Sequence, residues 1–446
     1  MKLDFSRREF LRRVSFAAAG AGLGAPFIAR NLLAAPPSQT ILHASIGASR
    51  QAGRDLELLA RHPYVKLVAI ADVDSEKSAP WKEKYPDVRI YQDWRELLDK
   101  EKQLDTLNVS TPDHMHAAIA MSAMQLGKHV YVQKPLTHDI YEARQLTKFA
   151  KEKKLITQMG IQIQSGSEYR QAVQLVQAGA IGKVQEVHSW CGKTWGDTKP
   201  PPERQDQPPT GFNWDLWLGT AAACAFIGKG YYHPQTWRSR LDFGTGTFGD
   251  MGCHIFDPVF GSLALTAPIS IRSEGPAPNQ WNWAPNSIVH YVFPGTKFTA
   301  GKTLNMTWYD GDQRPPQAVQ ALVTVEKLPA TGSIFIGTKG VMLLPHISRP
   351  KLFQNGELLD HPLPKVEDGN HYTQFLQAVL GNGKTGANFN YAGPLTEAVL
   401  LGGIASRFRN TTLLWDARAM KFKNVSTANQ FLRRDYRAGW NVKKLS

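Results

Sequence analysis

The sequence is poor in cysteine, has no clustered basic stripe and carries only one long apolar run, and each shortage excludes a class of protein. Cys191, Cys224 and Cys253 are scattered, so they supply neither a disulfide framework nor the ligand spacing of a metal site. The net charge is +14, but the basic residues do not gather into a stripe with interleaved aromatic side chains. We therefore expect no nucleic-acid partner.

The one long apolar run lies at the N-terminus and has the features of an export signal. Ser-Arg-Arg-Glu-Phe-Leu at residues 6–11 precedes an Ala- and Gly-rich apolar stretch at 14–29, and the small residues Ala34 and Ala35 follow. The paired arginines resemble the bacterial twin-arginine signal, and the apolar stretch is too short to span a bilayer well. We expect residues 1–35 to be a signal read by the twin-arginine (Tat) translocation machinery, with a periplasmic or otherwise exported product; an uncleaved, signal-anchored form is the alternative.

The rest of the chain is long enough for two domains, and its 42% hydrophobic content supports ordinary globular cores. From Thr40, short apolar runs alternate with stretches of helical length. This pattern predicts a doubly wound parallel sheet of the Rossmann type, a nucleotide-binding domain over residues 40–163. Its predicted strands are 41–46, 65–71, 105–109, 130–132 and 155–159, and its predicted helices are 52–62, 117–126 and 140–153.

The alternation weakens beyond residue 164, and strand-like segments become more frequent. We expect residues 164–440 to form a substrate-binding α/β domain built on a largely antiparallel sheet. The predicted elements are a helix at 169–178 and strands at 184–190, 288–293, 317–325 and 332–343.

The first strand-to-helix turn matches the dinucleotide pattern G-x-G-x-x-G/A only as G-x-S-x-x-A. Gly47 suits the tight turn and Ala52 allows the helix to pack closely on the strand, but Ser49 replaces the second glycine. Asp72 ends the next strand, where an acid binds the ribose hydroxyls of NAD. Arg50 is a cation in the same turn, so the pattern predicts NAD and leaves NADP open.

Lys134 and Pro135 end the strand-like segment Lys-His-Val-Tyr-Val-Gln-Lys-Pro-Leu-Thr at residues 128–137. A lysine at the carboxyl end of a strand, with a rigid proline behind it, points into the crevice where α/β sheets bind ligands. The segment Thr-Pro-Asp-His-Met-His at residues 111–116 ends another strand of the same sheet. Its two histidines lack a third ligand at suitable spacing, so cofactor-loop packing is favoured over a metal site.

Together these motifs resemble the Gfo/Idh/MocA family of oxidoreductases. The similarity continues through Asn-Trp-Asp-Leu-Trp-Leu-Gly at 213–219 and Gly-Asp-Met-Gly-Cys-His-Ile-Phe-Asp at 249–257, and it covers nearly all of residues 40–440. The family's usual Glu-Lys-Pro is Gln-Lys-Pro here, with Gln133. The resemblance implies Lys134, Asp250 and His254 as catalytic residues. The expected cofactor-binding residues are Gly47, Ser49, Arg50, Ala52, Asp72, Thr111, Pro112, His114, His116, Gln133, Lys134 and Gln158.

The chemistry of these residues agrees with the implied roles. Asp250 and His254 are four residues apart, so on a helix they share a face, and a carboxylate beside a histidine fixes the tautomer of a general base. Lys134 would donate hydrogen bonds to the substrate hydroxyl and to the cofactor ribose. A neutral Gln133 stabilises the charge of the lysine less than a glutamate does, so Lys134 is also a candidate acid–base group.

Aromatic and polar residues concentrate between residues 190 and 238, and aromatic faces with nearby polar groups suit sugar rings. We expect Tyr232, His233 and Arg238 to contact substrate. The predicted function is oxidation or reduction of a carbinol in a sugar, glycoside or cyclitol, with a retained cofactor and a homo-oligomeric protein. A redox-cycling NAD-dependent glycosidase and a non-catalytic sugar-binding protein are the alternatives.

Overall fold

The structure, a computed structural model, describes residues 39–446. The predicted export signal lies outside the described residues. Within residues 39–446, none of the helices combines the length and the apolar character that crossing a bilayer requires.

The first domain is a six-stranded sheet with helices on both faces. Its strands are β1 Ile41–Ile46, β2 Val65–Ala71, β3 Arg89–Tyr91, β4 Thr106–Val109, β5 His129–Gln133 and β6 Thr157–Gly160. Its helices are α1 Arg50–Ala60, α2 Ser75–Lys84, α3 Trp94–Lys100, α4 Asp113–Gln125 and α5 Ile140–Lys153.

All six strands are parallel, in the order β3-β2-β1-β4-β5-β6, which confirms the predicted Rossmann-type domain. The strand order reverses between β1 and β4, and this point opens a crevice at the carboxyl ends of the strands. The apolar runs that predicted β1, β2 and β4 are almost wholly buried, as expected for strands covered on both faces. The segments α2, β3 and α3 were not predicted; in α2 only Ser78 is buried, so no apolar face marks the helix.

The second domain is built on a ten-stranded mixed sheet. Its strands are β7 Val184–Cys191, β8 Ser270–Ser273, β9 Ile288–Pro294, β10 Thr303–Asp310, β11 Thr331–Gly337, β12 Val341–Pro345, β13 Lys351–Gln354, β14 Glu357–Leu358, β15 Thr412–Asp416 and β16 Lys421–Phe422. Its helices are α6 Ser167–Gln177, α7 Trp214–Leu218, α8 Gly246–Leu263, α9 Gln317–Gln320, α10 His371–Val379 and α11 Phe389–Ser406.

In this sheet, only β7 and β10 pair in parallel, so the prediction of a largely antiparallel sheet is confirmed. Helix α8 packs against α6 and α11, and α11 also packs against α5 of the first domain. The hydrophobic core is therefore continuous across the two sheets. This packing places α8, which carries Asp250 and His254, beside the crevice of the first domain.

The predicted strand at 317–325 is wrong. Pro316 is the N-cap of the short helix α9, and the apolar residues Val319, Leu322 and Val325 pack at a spacing of three residues onto a cluster on the sheet. That spacing fits a helical turn, while the apolar residues at 319, 321, 323 and 325 alternate and therefore predicted a strand. The predicted strand at 332–343 is in fact the hairpin of β11 and β12.

The C-terminal segments of the chain pack back onto the first domain. Arg434 forms an ion pair with Asp139 at 3.2 Å, and the hydroxyl of Tyr436 donates to Glu142 at 2.6 Å. In α10, the hydroxyl of Tyr372 donates to Asp55 of α1 at 2.8 Å. The first domain is thus completed by residues far away in the sequence, which fixes its orientation to the second sheet.

Candidate active site

A cleft with a cavity volume of about 440 Å³ lies between the crevice of the first sheet and helix α8. The loops after β1, β2, β4 and β5 form one wall, and the loop after β7, the turn at 236–239 and α8 form the other. Pockets for one small ligand usually measure about 300–1,000 Å³, so this cleft has the size of a ligand site, and its lining runs from the turn after β1 to α8.

Gly47 forms the tight turn at the nucleotide end of the cleft. Its φ of +103° lies in a region that residues with a side chain rarely adopt. A Cβ here would lie 2.8 Å from the carbonyl oxygen of Ser110 and 2.9 Å from the Cβ of Ala52. The glycine therefore lets the turn, helix α1 and the end of β4 approach closely, as the dinucleotide motif requires.

Ser49 and Arg50 begin helix α1 and line the cleft. Ser49 is extended, with φ −131° and ψ 163°, so the backbone does not require the glycine that the motif usually has there. Its side chain makes no capping hydrogen bond to the helix, which leaves the hydroxyl available to a ligand. The N-terminus of α1 is thus positioned to bind a pyrophosphate.

Asp72 follows β2 at the wall of the same end of the cleft. Its carboxylate accepts the backbone N–H of Ala48 at 2.8 Å and that of Asp74 at 3.0 Å. A carboxylate has about four acceptor positions, so two remain for ribose hydroxyls. Burial raises the pKa of Asp72 to about 6, which leaves the group ionised at neutral pH.

Gly47, Ser49 and Asp72 together fit a dinucleotide. The turn that only glycine can form, the uncapped helix start and the acid at the end of β2 are the three features by which such domains hold pyrophosphate and ribose. Arg50, which also lines the cleft, leaves the choice between NAD and NADP open.

We expect Gly47→Ala to abolish tight NAD binding, because the new methyl group would collide with Ser110 and Ala52. Gly127→Ala is the matched control: Gly127 also has a positive φ, +78°, but no atom lies within 4 Å of its added Cβ. NAD titration followed by tryptophan fluorescence measures the effect. Equal NAD affinities in the two variants would contradict this account of the turn.

Lys134 lies at the carboxyl end of β5, as predicted, and its ammonium group reaches Asp250 on α8. The Nζ donates to Oδ1 of Asp250 at 2.6 Å and to the backbone carbonyl of Asp250 at 2.8 Å. The two side chains are only 13% and 10% exposed. Two of the three N–H bonds of the ammonium are therefore used, and the third is left for a ligand.

The carboxylate of Asp250 does not hold His254, contrary to the prediction. Besides Lys134, it accepts hydrogen bonds from Nε of Arg238 at 3.1 Å and Nε1 of Trp195 at 2.8 Å. Burial alone would raise the pKa of Asp250, but the charges of Lys134 and Arg238 reverse this and hold it well below its usual range. Asp250 is thus a permanent anion that positions Lys134.

His254 lies one turn further along α8 and lines the cleft. Its Nδ1 is buried and has no hydrogen-bond partner within residues 39–446. Burial, and then the charge of Lys134, hold the pKa of His254 well below its usual range. The imidazole is therefore neutral at physiological pH, the state in which it can accept a proton.

Gln133 explains the departure from Glu-Lys-Pro. Its Nε2 donates to Oδ2 of Asp55 at 2.8 Å, and Asp55 is fully buried on α1. A glutamate at position 133 would place a second carboxylate against Asp55. The carboxylate that pairs with Lys134 is Asp250, and the effect of Gln133 on the lysine stays a prediction.

Of the three residues predicted to contact substrate, Arg238 lies at the substrate end beside Asp250. His233 instead lines the nucleotide end, where its Nε2 lies 3.8 Å from the carboxylate of Asp74, and Tyr232 does not line the cleft. Tyr232 is buried in an aromatic cluster with Trp214 and Phe243. The sequence reasoning did not assign roles to Lys193 or Trp195, which also line the cleft. The sequence feature that could have identified these two residues is their position in a polar segment directly after strand β7.

Thr111, Pro112, Gln133 and Ala52 also line the cleft. His114, His116 and Gln158 do not, and they make buried structural contacts instead. His114 packs between Trp217 and Phe243, and His116 contacts the carbonyl oxygens of Thr111 and Pro135. Gln158 donates to the carbonyl of His371 at 2.6 Å. His116 thus supports both cleft-lining loops from behind, without lining the cleft itself.

Residues 39–446 contain no group of three or more His, Cys, Asp or Glu side chains arranged to hold a metal ion. The site instead combines a nucleotide-binding turn with a lysine, a buried acid and a neutral histidine. Fold and site together define the class of protein: a two-domain oxidoreductase with an NAD-binding Rossmann domain.

The chain belongs to the Gfo/Idh/MocA oxidoreductase family. Residues 41–161 match the family's NAD-binding Rossmann fold, and residues 170–293 match its C-terminal alpha/beta domain. The resemblance inferred from the motifs is thereby confirmed.

Among curated relatives, levoglucosan dehydrogenase of Pseudarthrobacter phenanthrenivorans is 23% identical over 189 residues, 42% of this chain and 40% of the relative. Alpha-N-acetylgalactosaminidase of Shewanella oneidensis is 27% identical over 161 residues, 34% of this chain and 35% of the relative. The chain thus spans less than half the length of these relatives. A similar solved structure is the WlbA dehydrogenase from Bordetella pertussis in complex with NADH and UDP-GlcNAcA, with a TM-score of 0.60, 15% identity and coverage of 84% of this chain and 99% of that one.

Proposed function

We propose that this protein is an NAD(P)-dependent oxidoreductase that acts on a carbinol of a sugar, glycoside or cyclitol. The observation that carries the proposal is the position of a neutral His254 and the Lys134–Asp250 ion pair in the same cleft as the nucleotide-binding turn. The named activities of the relatives, which include a levoglucosan dehydrogenase, support a sugar-like substrate.

Each residue has a defined part in this reaction. Lys134 donates its remaining N–H to the substrate hydroxyl oxygen and stabilises the negative charge that develops there. His254 takes the hydroxyl proton as hydride leaves the same carbon. Gly47, Ser49 and Asp72 would hold NAD(P), which would supply the acceptor for that hydride. Asp250 keeps the ammonium of Lys134 fixed, so the donor needs no reorganisation during the reaction.

A second candidate function is glycoside cleavage through a redox cycle, in which a carbinol is oxidised to a ketone, the aglycone is eliminated, water adds to the resulting double bond and the ketone is reduced again. The relative named alpha-N-acetylgalactosaminidase is the observation that favours it. Such a cycle regenerates the cofactor in place, because the hydride removed in the first step returns in the last.

We also propose that the protein is exported in folded form with its cofactor bound, as the paired arginines Arg7 and Arg8 suggest. A retained cofactor must be regenerated within the site, which favours paired oxidation and reduction or the redox cycle. Fractionation of cells that express the full chain tests the export.

One experiment separates the candidate functions. The purified protein is denatured to release and quantify bound NAD(P), and the native protein is scanned with free sugars and aryl glycosides for NADH absorbance and for aglycone release. An absorbance change alone supports the oxidoreductase, and aglycone release with bound NAD supports the redox-cycling glycosidase. Protein that carries no cofactor, binds NAD weakly and gives neither signal would overturn both.

A further inference from the structure

Lys193 is a cation at the substrate end of the cleft that has no acidic partner among residues 39–446. It follows strand β7, and its backbone is held on both sides: its N–H donates to Sγ of Cys191 at 3.5 Å, and its carbonyl accepts from the N–H of Gly311 at 3.1 Å. The polar neighbour of its Nζ is the thioether sulfur of Met251, at 3.4 Å. A thioether is a weak acceptor and carries no charge, and Lys193 is an exposed residue, so its ammonium is solvated by water and free to pair with an anionic ligand.

The charge of Lys193 acts on the reacting groups. After the larger effects of burial and of other charges, it contributes to the lowered pKa values of His254 and Asp250. The charge of Lys193 also helps to lower the pKa of His346. Burial is the larger cause, and the pKa of His346 is about 4. The ring of His346 lies 5.9 Å from the ring of His254. Lys193 therefore lies where a substrate placed against His254 would experience its field.

The other charges around the substrate end do not neutralise Lys193. Asp250 pairs with both Lys134 and Arg238, so two positive charges already face its single negative charge. Asp113 also lines the cleft, but it is buried at the start of α4, where it accepts the hydroxyl of Thr245 and is stabilised by the helix N-terminus. With both histidines neutral, the substrate end carries more positive than negative charge.

Arg238 is the other cation near Asp250, and unlike Lys193 it already pairs with that carboxylate. Its Nε donates to Asp250, and its guanidinium lies 4.4 Å from the ring centre of Trp237 and 5.5 Å from that of Trp195. The flat aromatic walls suit a sugar ring, and Lys193 is the cation beside them that remains available.

We propose that the substrate is an anionic sugar whose carboxylate, phosphate or sulfate group pairs with Lys193. This inference rests on the proposed function and names the substrate class within it. A charge-assisted hydrogen bond in a concave site gives a large preference for the charged ligand over its neutral analogue. The same field also attracts the anion from solution, and this attraction weakens as salt is added.

The test compares matched ligands on the full protein loaded with NAD. Methyl glucuronide and methyl galacturonide are the carboxylate probes, glucose 6-phosphate and glucose 6-sulfate are the ester probes, and methyl glucoside and methyl galactoside are the neutral analogues. Binding is followed by the fluorescence of the cleft tryptophans and turnover by NADH absorbance. We expect at least one anionic probe to bind about ten- to a hundredfold more tightly than its neutral analogue, and added salt to reduce that ratio. Which probe shows it identifies the anionic group.

Lys193→Gln should remove the preference, whereas Lys365→Gln, the same change at an exposed lysine in the 359–370 loop, should keep it. Equal binding of anionic and neutral sugars by the unmodified protein, or an anionic preference that survives Lys193→Gln, would overturn the inference. Turnover of neutral sugars without such a preference would leave the proposed oxidoreductase in place. Binding of an anionic sugar that depends on Lys193, with no turnover of any sugar, would instead overturn the proposed function and keep the anion site.

Discussion

Lys134→Met should lower kcat/KM for the sugar substrate by about a thousandfold, the size expected when a positioned donor at the reacting oxygen is lost. The methionine fills a similar volume but can donate nothing to the hydroxyl. Asp250 keeps its hydrogen bonds from Arg238 and Trp195, so the variant should fold and bind NAD. NADH absorbance measures the rate, and thermal unfolding checks the fold.

Lys128→Met is the matched control for this prediction, because it makes the same substitution just before the other end of the same strand. Lys128 is half-buried, and its Nζ donates to the carbonyl of Lys102, far from the cleft. We expect this variant to keep its activity. Full activity in Lys134→Met would remove the lysine from the mechanism, and loss of NAD binding in that variant would assign it to the cofactor instead of the substrate.

Much of the first domain could be predicted from the sequence because its strands are buried on both faces and read as continuous apolar runs. Strand β1, strand β2 and helix α5 were predicted with their observed bounds. The elements that were missed lack such a pattern. Helix α2 buries almost none of its side chains. The apolar residues of segment 317–325 fit the period of a strand as well as that of a helix, and only Pro316, the N-cap, marks the start of a helix.

The three proposed catalytic residues could be named from sequence, but their partners could not. The spacing of Asp250 and His254 places them on one face of α8, yet it says nothing about a lysine that arrives from β5. Two charges in a buried site pair more strongly than a charge and a neutral ring, so Asp250 contacts Lys134 and Arg238 and leaves His254 alone. Such competition between groups that are distant in sequence is decided only by the tertiary fold.

Gln133 illustrates the same limit. In the sequence it appears only as a substitution next to a catalytic lysine, which suggested an effect on that lysine. Its real partner is Asp55, on the helix after β1, and Asp55 also accepts the hydroxyl of Tyr372 from α10. Three distant segments thus meet at one buried carboxylate, and no local pattern marks any of them.

His254→Gln should lower kcat by about a hundred- to ten-thousandfold, the usual contribution of a general base. The pH dependence gives the sharper test. A general base acts only when it is unprotonated. Burial and the charge of Lys134 both lower the pKa of His254. The kcat/KM of the unmodified protein should therefore stay high when the pH falls below the ordinary histidine pKa of about 6.5. It should fall only at lower pH, and in His254→Gln this acid limb should disappear from the residual activity.

His346→Gln is the matched control for the base, because His346 is the neighbouring histidine and has a similarly lowered pKa. It does not line the cleft, so this variant should keep most of its kcat and the same acid limb. If the limb vanishes in His346→Gln and persists in His254→Gln, the proton goes to His346. In that case the reacting hydroxyl would not lie against Lys134. It would lie on the other side of His254, in the apolar pocket that is lined by His254, His346 and Tyr169. The pH profiles of the two variants therefore locate the reacting hydroxyl as well as the base.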